Sequence, residues 1–274
     1  MLMMKKLLCL MLLCALPLAV HAENGATPGE WQLSISAGYG AIDNPVKGRD
    51  DIQMHLLPAI SYYGERFYLE NTHLGYALYE RDKLYLDVVG QFNEDGYFYT
   101  FDGSRALGLQ EIIVPDLGFV DPDAEPSHKV DKDLSYLAGI SLTWKPHGFT
   151  LRASALVDIT AGHHGSEYHL SLSRDWHWHK LRIRLLGRAV RKSSATNNYY
   201  YNFSDTETAG AGRWFYHDGH WQLQWRLAAV YPLTDQLDII GQWQYNQLDS
   251  ALSVSPLLTA TQYYSRFIGL RYRF

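Results

Sequence analysis

Apolar and polar residues alternate one for one through most of this chain, and that period limits the folds open to it. Trp31, Leu33, Ile35, Ala37 and Tyr39 fall on one side of an extended segment, with Gln32, Ser34, Ser36 and Gly38 on the other. Leu134, Tyr136, Ala138, Ile140, Leu142 and Trp144 repeat the pattern. So do Leu181, Ile183 and Leu185 against Arg182, Arg184 and Arg188, and Trp221, Leu223, Trp225 and Leu227 against Gln222, Gln224 and Arg226. A period of two is that of a β-strand with one greasy and one polar face. The runs are about ten residues long, the length a tilted strand needs to cross a bilayer.

Turn chemistry separates the runs. Tyr63-Gly64-Glu65, Glu80-Arg81-Asp82, Lys145-Pro146-His147-Gly148 and Pro232-Leu233-Thr234-Asp235 are short and suit tight connections. Strands joined this closely must be antiparallel neighbours. The spacing predicts strands near 31–39, 53–63, 66–79, 83–92, 133–144, 148–158, 166–176, 180–191, 197–204, 219–231, 236–246 and 263–274. The fold class is therefore all-β, a transmembrane antiparallel barrel of about twelve strands, with ten as the even-numbered alternative. Two stretches break the rhythm, Asn93 to Asp133 and Asp205 to Gly219. Loops of that length are commonly functional or disordered.

Both termini fit this architecture. Ile268, Leu270, Tyr272 and Phe274 form one face of the last strand, opposite Gly269, Arg271 and Arg273. A final strand ending on an aromatic residue suits barrel closure at a membrane interface, and these four residues are expected to serve as the insertion signal. Met1 to Ala22 reads as a secretory signal peptide, with Lys5 and Lys6 before an apolar stretch from Leu7 to Val20 and a cut after Ala22. The barrel domain would then be 23–274. Both cysteines, Cys9 and Cys14, lie in the leader, so the exported chain would carry no disulfide.

Without Lys5 and Lys6 the 24 basic residues become 22 against 29 acidic ones, and the net charge moves from −5 to −7. An acidic chain is a poor match for nucleic acid. Aromatic residues make up 14% of the sequence, as membrane interfaces favour. A secreted sandwich or lipocalin-like barrel would also alternate, but with its apolar face inward. The many large Trp and Leu residues on the apolar faces, opposite a mixed face of Arg, Asp, Gln, Ser and Gly, favour the membrane barrel. The expected location is the outer membrane of a Gram-negative cell, with outer-membrane lipid, lipopolysaccharide and the barrel-insertion machinery as partners.

The chain resembles the MipA/OmpV family of outer-membrane proteins. The likeness is carried by Leu57-Pro58-Ala59-Ile60-Ser61-Tyr62-Tyr63-Gly64-Glu65-Arg66-Phe67-Tyr68, by Leu74-Gly75-Tyr76 and by Asn198-Tyr199-Tyr200-Tyr201-Asn202-Phe203-Ser204. Tyr231-Pro232-Leu233, Ser255-Pro256-Leu257 and the closing Gly269 to Phe274 extend it. Asn202 stands where the family usually has Gly, and the region from Leu107 to Lys132 looks longer than the family's. The resemblance implies a scaffold rather than an enzyme, one that links a murein-cleaving lytic transglycosylase to a murein-polymerising penicillin-binding protein.

Asp87, Arg152, Arg182, Arg184, Arg188, Arg226, Asp238 and Arg271 lie on polar faces. Two readings stand. They form a charge network that fills a narrow lumen, since buried charges need partners and Arg forks suit carboxylates. Alternatively, the arginine ladder of 180–191 lines a small channel for polar or anionic solutes. The first is favoured, because ten to twelve strands enclose little free lumen. His163-His164 and His177-Trp178-His179 have spacings open to metal, yet no carboxylate or cysteine completes a set, so neither metal nor cofactor is expected. Gly-x-Ser-x-Gly is missing, and no catalytic residues are assigned; an outer-membrane enzyme is the least favoured class. Tyr199 to Tyr201 is expected to be an interface girdle on a strand.

Overall fold

The computed structural model describes residues 29–100, 130, 132–203 and 217–274. Twelve antiparallel strands close into a barrel in sequence order, with β1 hydrogen-bonded to β12. They are β1 (Trp31–Ile42), β2 (Ile52–Tyr63), β3 (Phe67–Glu70), β4 (His73–Arg81), β5 (Leu84–Phe92) and β6 (Tyr136–Trp144). The circuit continues through β7 (Phe149–Asp158), β8 (Ser166–Trp178), β9 (Leu181–Lys192), β10 (His220–Pro232), β11 (Leu237–Gln247) and β12 (Gln262–Arg273). Helices α1 (Tyr97–Thr100) and α2 (Ser194–Tyr201) and a 3-10 turn at Ser250–Val254 lie between strands.

The period of two turns the greasy faces outward. On β10, Gln222, Gln224, Arg226, Ala228 and Val230 are buried, while Trp221, Leu223, Trp225 and Leu227 are exposed. β12 repeats this, with Tyr263, Ser265 and Phe267 inside and Ile268, Leu270, Tyr272 and Phe274 outside. An inside-out pattern of this kind suits lipid as the surrounding solvent. Exposed aromatics gather towards both rims: Trp31, Trp144, Trp178, Tyr231 and Tyr272 at one, Tyr39, Tyr168, Trp221 and Tyr264 at the other. Such girdles sit at headgroup level.

The two ends differ in their connections. At the end holding residue 29 and the C-terminus, strands are joined by the short segments 64–66, 82–83, 145–148, 179–180 and 233–236. Gly148, with φ of 79°, supplies left-handed backbone in one of them. The strand ends joined by the long connections, 43–51, 93–135, 159–165, 193–219 and 248–261, lie at the other end. In outer-membrane barrels short turns face the periplasm. The closing seam is tight: Gly38 pairs with Gly269, and a Cβ on Gly38 would lie 2.1 Å from the carbonyl oxygen of Ile268.

Two strand expectations are corrected. The run 66–79 is a hairpin, because Asn71, with φ of 56°, and Thr72 turn the chain between β3 and β4. The Asn71 side chain accepts the Ile60 N–H at 3.0 Å, ending the β2–β3 ladder. Above that point β2 pairs only with β1 among the described residues. The run 197–204 contains no strand up to Phe203, the last residue described there; 194–201 is helix, capped by Ser193, whose side chain accepts the Thr196 N–H. Tyr200 and Tyr201 are buried inside the mouth rather than forming an interface girdle. One false strand and one unseen split offset each other in the strand count.

Candidate functional site

The lumen is the part of the barrel whose chemistry lipid does not dictate, and it has three levels. At the long-loop end, α1 and α2 fold into the mouth. Phe98, Tyr99, Tyr200 and Tyr201 join Met54, Leu57, Val230, Ile240, Leu248, Leu252, Tyr263 and Phe267 in one buried cluster. Phe98 meets Tyr263 edge-on with ring centroids 5.0 Å apart. Polar bonds pin the helices in place. Asn44 Nδ2 donates to the Phe98 carbonyl at 3.2 Å, Arg49 to the Tyr99 carbonyl at 2.8 Å, and Ser255 Oγ to the Tyr201 carbonyl at 2.6 Å. The Tyr99 hydroxyl donates to the Tyr200 carbonyl.

Below this cork lies a belt of charge. Glu94 and Asp95 follow β5 and turn inward. Arg188 on β9 bonds Glu94, and Lys192 Nζ sits 2.5 Å from both Asp95 oxygens. Asn93 Nδ2 donates to Glu167 at 2.7 Å, and Glu167 also meets His169 at 2.7 Å. Burial alone would raise the Glu94 pKa, but the guanidinium of Arg188, helped by Arg226, holds it down to about 2. The belt leaves a cavity of about 10 Å³ beside Glu94, Glu167 and Arg188. That is room for about one water molecule.

Nearer the short-turn end the charges separate. Arg184 forks onto Asp175 at 2.5 and 2.6 Å. Asp238 takes Arg271 at 2.7 Å and Arg273 at 3.1 Å. Arg152 donates to Thr143 at 3.1 Å, Arg226 to Gln244 at 2.7 Å, and Asp87 accepts the Tyr68 hydroxyl at 3.2 Å. Of the eight charged residues singled out from sequence, Asp87, Arg226 and Asp238 are buried, and the contacts of the eight fall into several small groups rather than one. Asp238 and Arg271 pair with each other. Sequence reasoning missed Glu94, Asp95, Glu167 and Lys192. Lys192 continues the even-numbered ladder of β9, a signal present in the sequence; Glu94 and Asp95 come from a loop and follow no period. Ala22 lies outside the described residues.

One constellation has the look of a catalytic triad. Ser135 Oγ lies 2.9 Å from His163 Nε2, and Asp158 lies 3.9 Å from His163 Nδ1. The hydrogen bonds argue against that role. Nδ1 accepts the Gly165 N–H at 2.9 Å, so the neutral ring carries its proton on Nε2 and donates to Ser135. Asp158 Oδ2 instead accepts the backbone N–H groups of His163 and His164. Burial lowers the His163 pKa, and Ser135 is fully buried. A base that already holds its proton cannot take one from the hydroxyl. The group ties the 159–165 loop to Tyr200, whose hydroxyl lies 3.1 Å from Ser135 Oγ. Among the described residues, no group of three or more His, Cys, Asp or Glu side chains is placed to hold a metal ion.

A closed barrel with an apolar outer face, aromatic girdles, short turns at one end and long loops at the other is an outer-membrane β-barrel, here with an obstructed mouth. Comparison with known proteins agrees. The family model described as MltA-interacting protein MipA matches residues 35–274, and the chain belongs to that family. "Putative outer membrane protein YiaT" of Escherichia coli K12 is 25% identical over 250 residues, covering 89% of this chain and 91% of the relative. "MltA-interacting protein" of the same strain is 23% identical over 268 residues, covering 96% and 98%. Among solved structures, the NanC porin matches 88% of this chain and all of its own at 10% identity, with a TM-score of 0.42. The protein resides in the outer membrane.

Proposed function

We propose that this barrel is a non-conducting scaffold of the cell envelope, without catalytic activity. Its periplasmic end would dock a murein-cleaving lytic transglycosylase and, through it, a murein-synthesising penicillin-binding protein. The observation carrying this reading is the filled lumen: an aromatic cork over a belt of paired charges. Ions would cross it only by breaking buried ion pairs, each of which is strongly disfavoured. A relative aligned over 96% of the chain is named for interaction with MltA, which supports the choice of partner. The Ser135–His163 bonding supports a non-enzymatic role. Export would use Met1–Ala22, and Ile268, Leu270, Tyr272 and Phe274 would be read by the insertion machinery as the barrel settles among lipid and lipopolysaccharide. The eight inward charges would stiffen the barrel.

Crosslinking in intact cells should enrich a lytic transglycosylase, and purified protein in planar bilayers should show no steady ion-selective conductance. Robust unitary currents lost on replacing Arg182, Arg184 and Arg188 would overturn the scaffold in favour of a small anion channel. Turnover of lipid, lipopolysaccharide or peptide, abolished by a single Ser or His change, would make the protein an enzyme.

A further inference from the structure

The periplasmic end of the lumen is built unlike the rest. A cavity of about 240 Å³ opens there, lined by His177, His179, Lys180, Arg182, Pro232 and Arg273. Among the described residues, no carboxylate lines it. His177 lies opposite Arg182 in the β8–β9 register, and Arg182 lies opposite Val230 on β10, so both side chains enter the lumen at one level. Pro232 lies opposite Asp238 one strand further on.

The charges around this cup do not cancel. Among the described residues, Arg182, Arg184, Arg271, Arg273 and Lys180 gather around Asp175 and Asp238, with Asp235 at the rim. Asp175 is taken by Arg184, and Asp238 is shared by Arg271 and Arg273. The side chains of Arg182 and Lys180 make no hydrogen bond or close ion pair with any described residue, and Asp238 acts on Arg182 only at longer range. Arg273 uses its terminal nitrogen on Asp238 and the Asp235 carbonyl, and its Nε is buried without a partner. In the belt, by contrast, Arg188 is matched by Glu94 and Lys192 by Asp95. Unmatched cations held together repel one another, and an anion between them would relieve that cost. The guanidinium fork takes two oxygens of a phosphate or carboxylate, and the lysine adds a mobile point charge.

We propose that this cup is a binding site for an oxyanion, phosphate or carboxylate, entering from the periplasm. The volume accommodates the anionic group with several waters, at about 30 Å³ per water. The site stands on its own charges and holds whether or not a protein partner docks at that end. Free solute and lipid headgroup could both present such a group.

The test uses the full exported chain in phosphatidylcholine nanodiscs, titrated with inorganic phosphate by calorimetry. Saturable binding that weakens with added salt is expected. Arg182→Gln and Lys180→Gln should each weaken it about tenfold, as loss of a charge-assisted bond implies. Arg174→Gln should leave it unchanged, because Arg174 lies outside against Phe149 and Trp176. If Arg182→Gln fails to give the unboiled gel shift of a folded barrel, Arg182→Lys replaces it and should show an intermediate loss. Phosphatidylglycerol added to the discs separates the sources. Competition with phosphate, removed by the Arg182 change, assigns the headgroup; unaltered phosphate binding assigns the free solute. If phosphate does not bind and phosphatidylglycerol is not retained, the proposal is overturned.

Discussion

The two ends of the lumen are walled by the same strands and differ in what enters between them. At the outer end the connections are long enough to fold back: α1 and α2 bring tyrosines, Glu94 and Asp95 into the cylinder, and each arginine or lysine of the belt meets an acceptor. At the periplasmic end the turns are too short to return anything, and Arg182 and Lys180 are left facing water. Loop length, rather than wall composition, decides whether a charged lumen becomes a plug or a cup. Stability should therefore concentrate at one end and ligand response at the other.

The largest break in that contrast is Arg188→Ala, which strands Glu94 in the belt. A buried pair broken on one side costs about 3–5 kcal/mol. The temperature at which the unboiled gel form is lost should fall sharply; an unchanged midpoint would mean the belt bears little load. Acid should produce the next effect. The Glu94 pKa is depressed from 4.5 to about 2, so its contribution is complete above 4.5 and disappears as pH falls towards 2. That amounts to about 3 kcal/mol, lost across this window, and Glu94→Gln should flatten the acid limb of a stability profile. Tyr200→Phe removes one hydroxyl bonded to Ser135 and to the Asp133 carbonyl. It should cost about 1 kcal/mol in a urea midpoint while leaving the bilayer current at zero. Smallest is Arg182→Gln, expected to change stability by no more than about 0.5 kcal/mol, because that side chain has no described partner to lose.

The walls were legible in the sequence because a period of two is local: each residue's face follows from its neighbour's. The outward placement of Trp221, Trp225 and Tyr272 follows directly. The plug was not legible. Arg188 and Glu94 are 94 positions apart, and nothing in either segment names the other. The tyrosine run at 199–201 has strand-like composition, and only burial in the mouth with Ser193 capping makes it helical. Asn71-Thr72 sits in an alternating stretch whose side-chain rhythm conceals the turn. For the charges on the polar faces, the period of two says which side of a strand they share but not which would be neutralised, since that depends on loop residues with no periodicity.

The short β3–β4 hairpin has a mechanical consequence. A closed barrel resists deformation as a hoop does, through an unbroken ring of hydrogen bonds around its girth. Here twelve strands stand side by side only over the height of β3, four residues or about 13 Å. Beyond Asn71 the outer half of β2 has no strand partner on its β3 side among the described residues, while β4 accompanies β5 as far as Leu74 and Gly90. The hoop of hydrogen bonds is thus interrupted along one side of β2 and continuous across the β1–β12 seam. Lateral strain should be taken up along the outer half of β2, from Ile52 to Ala59, while the glycine seam of β1 and β12 stays shut.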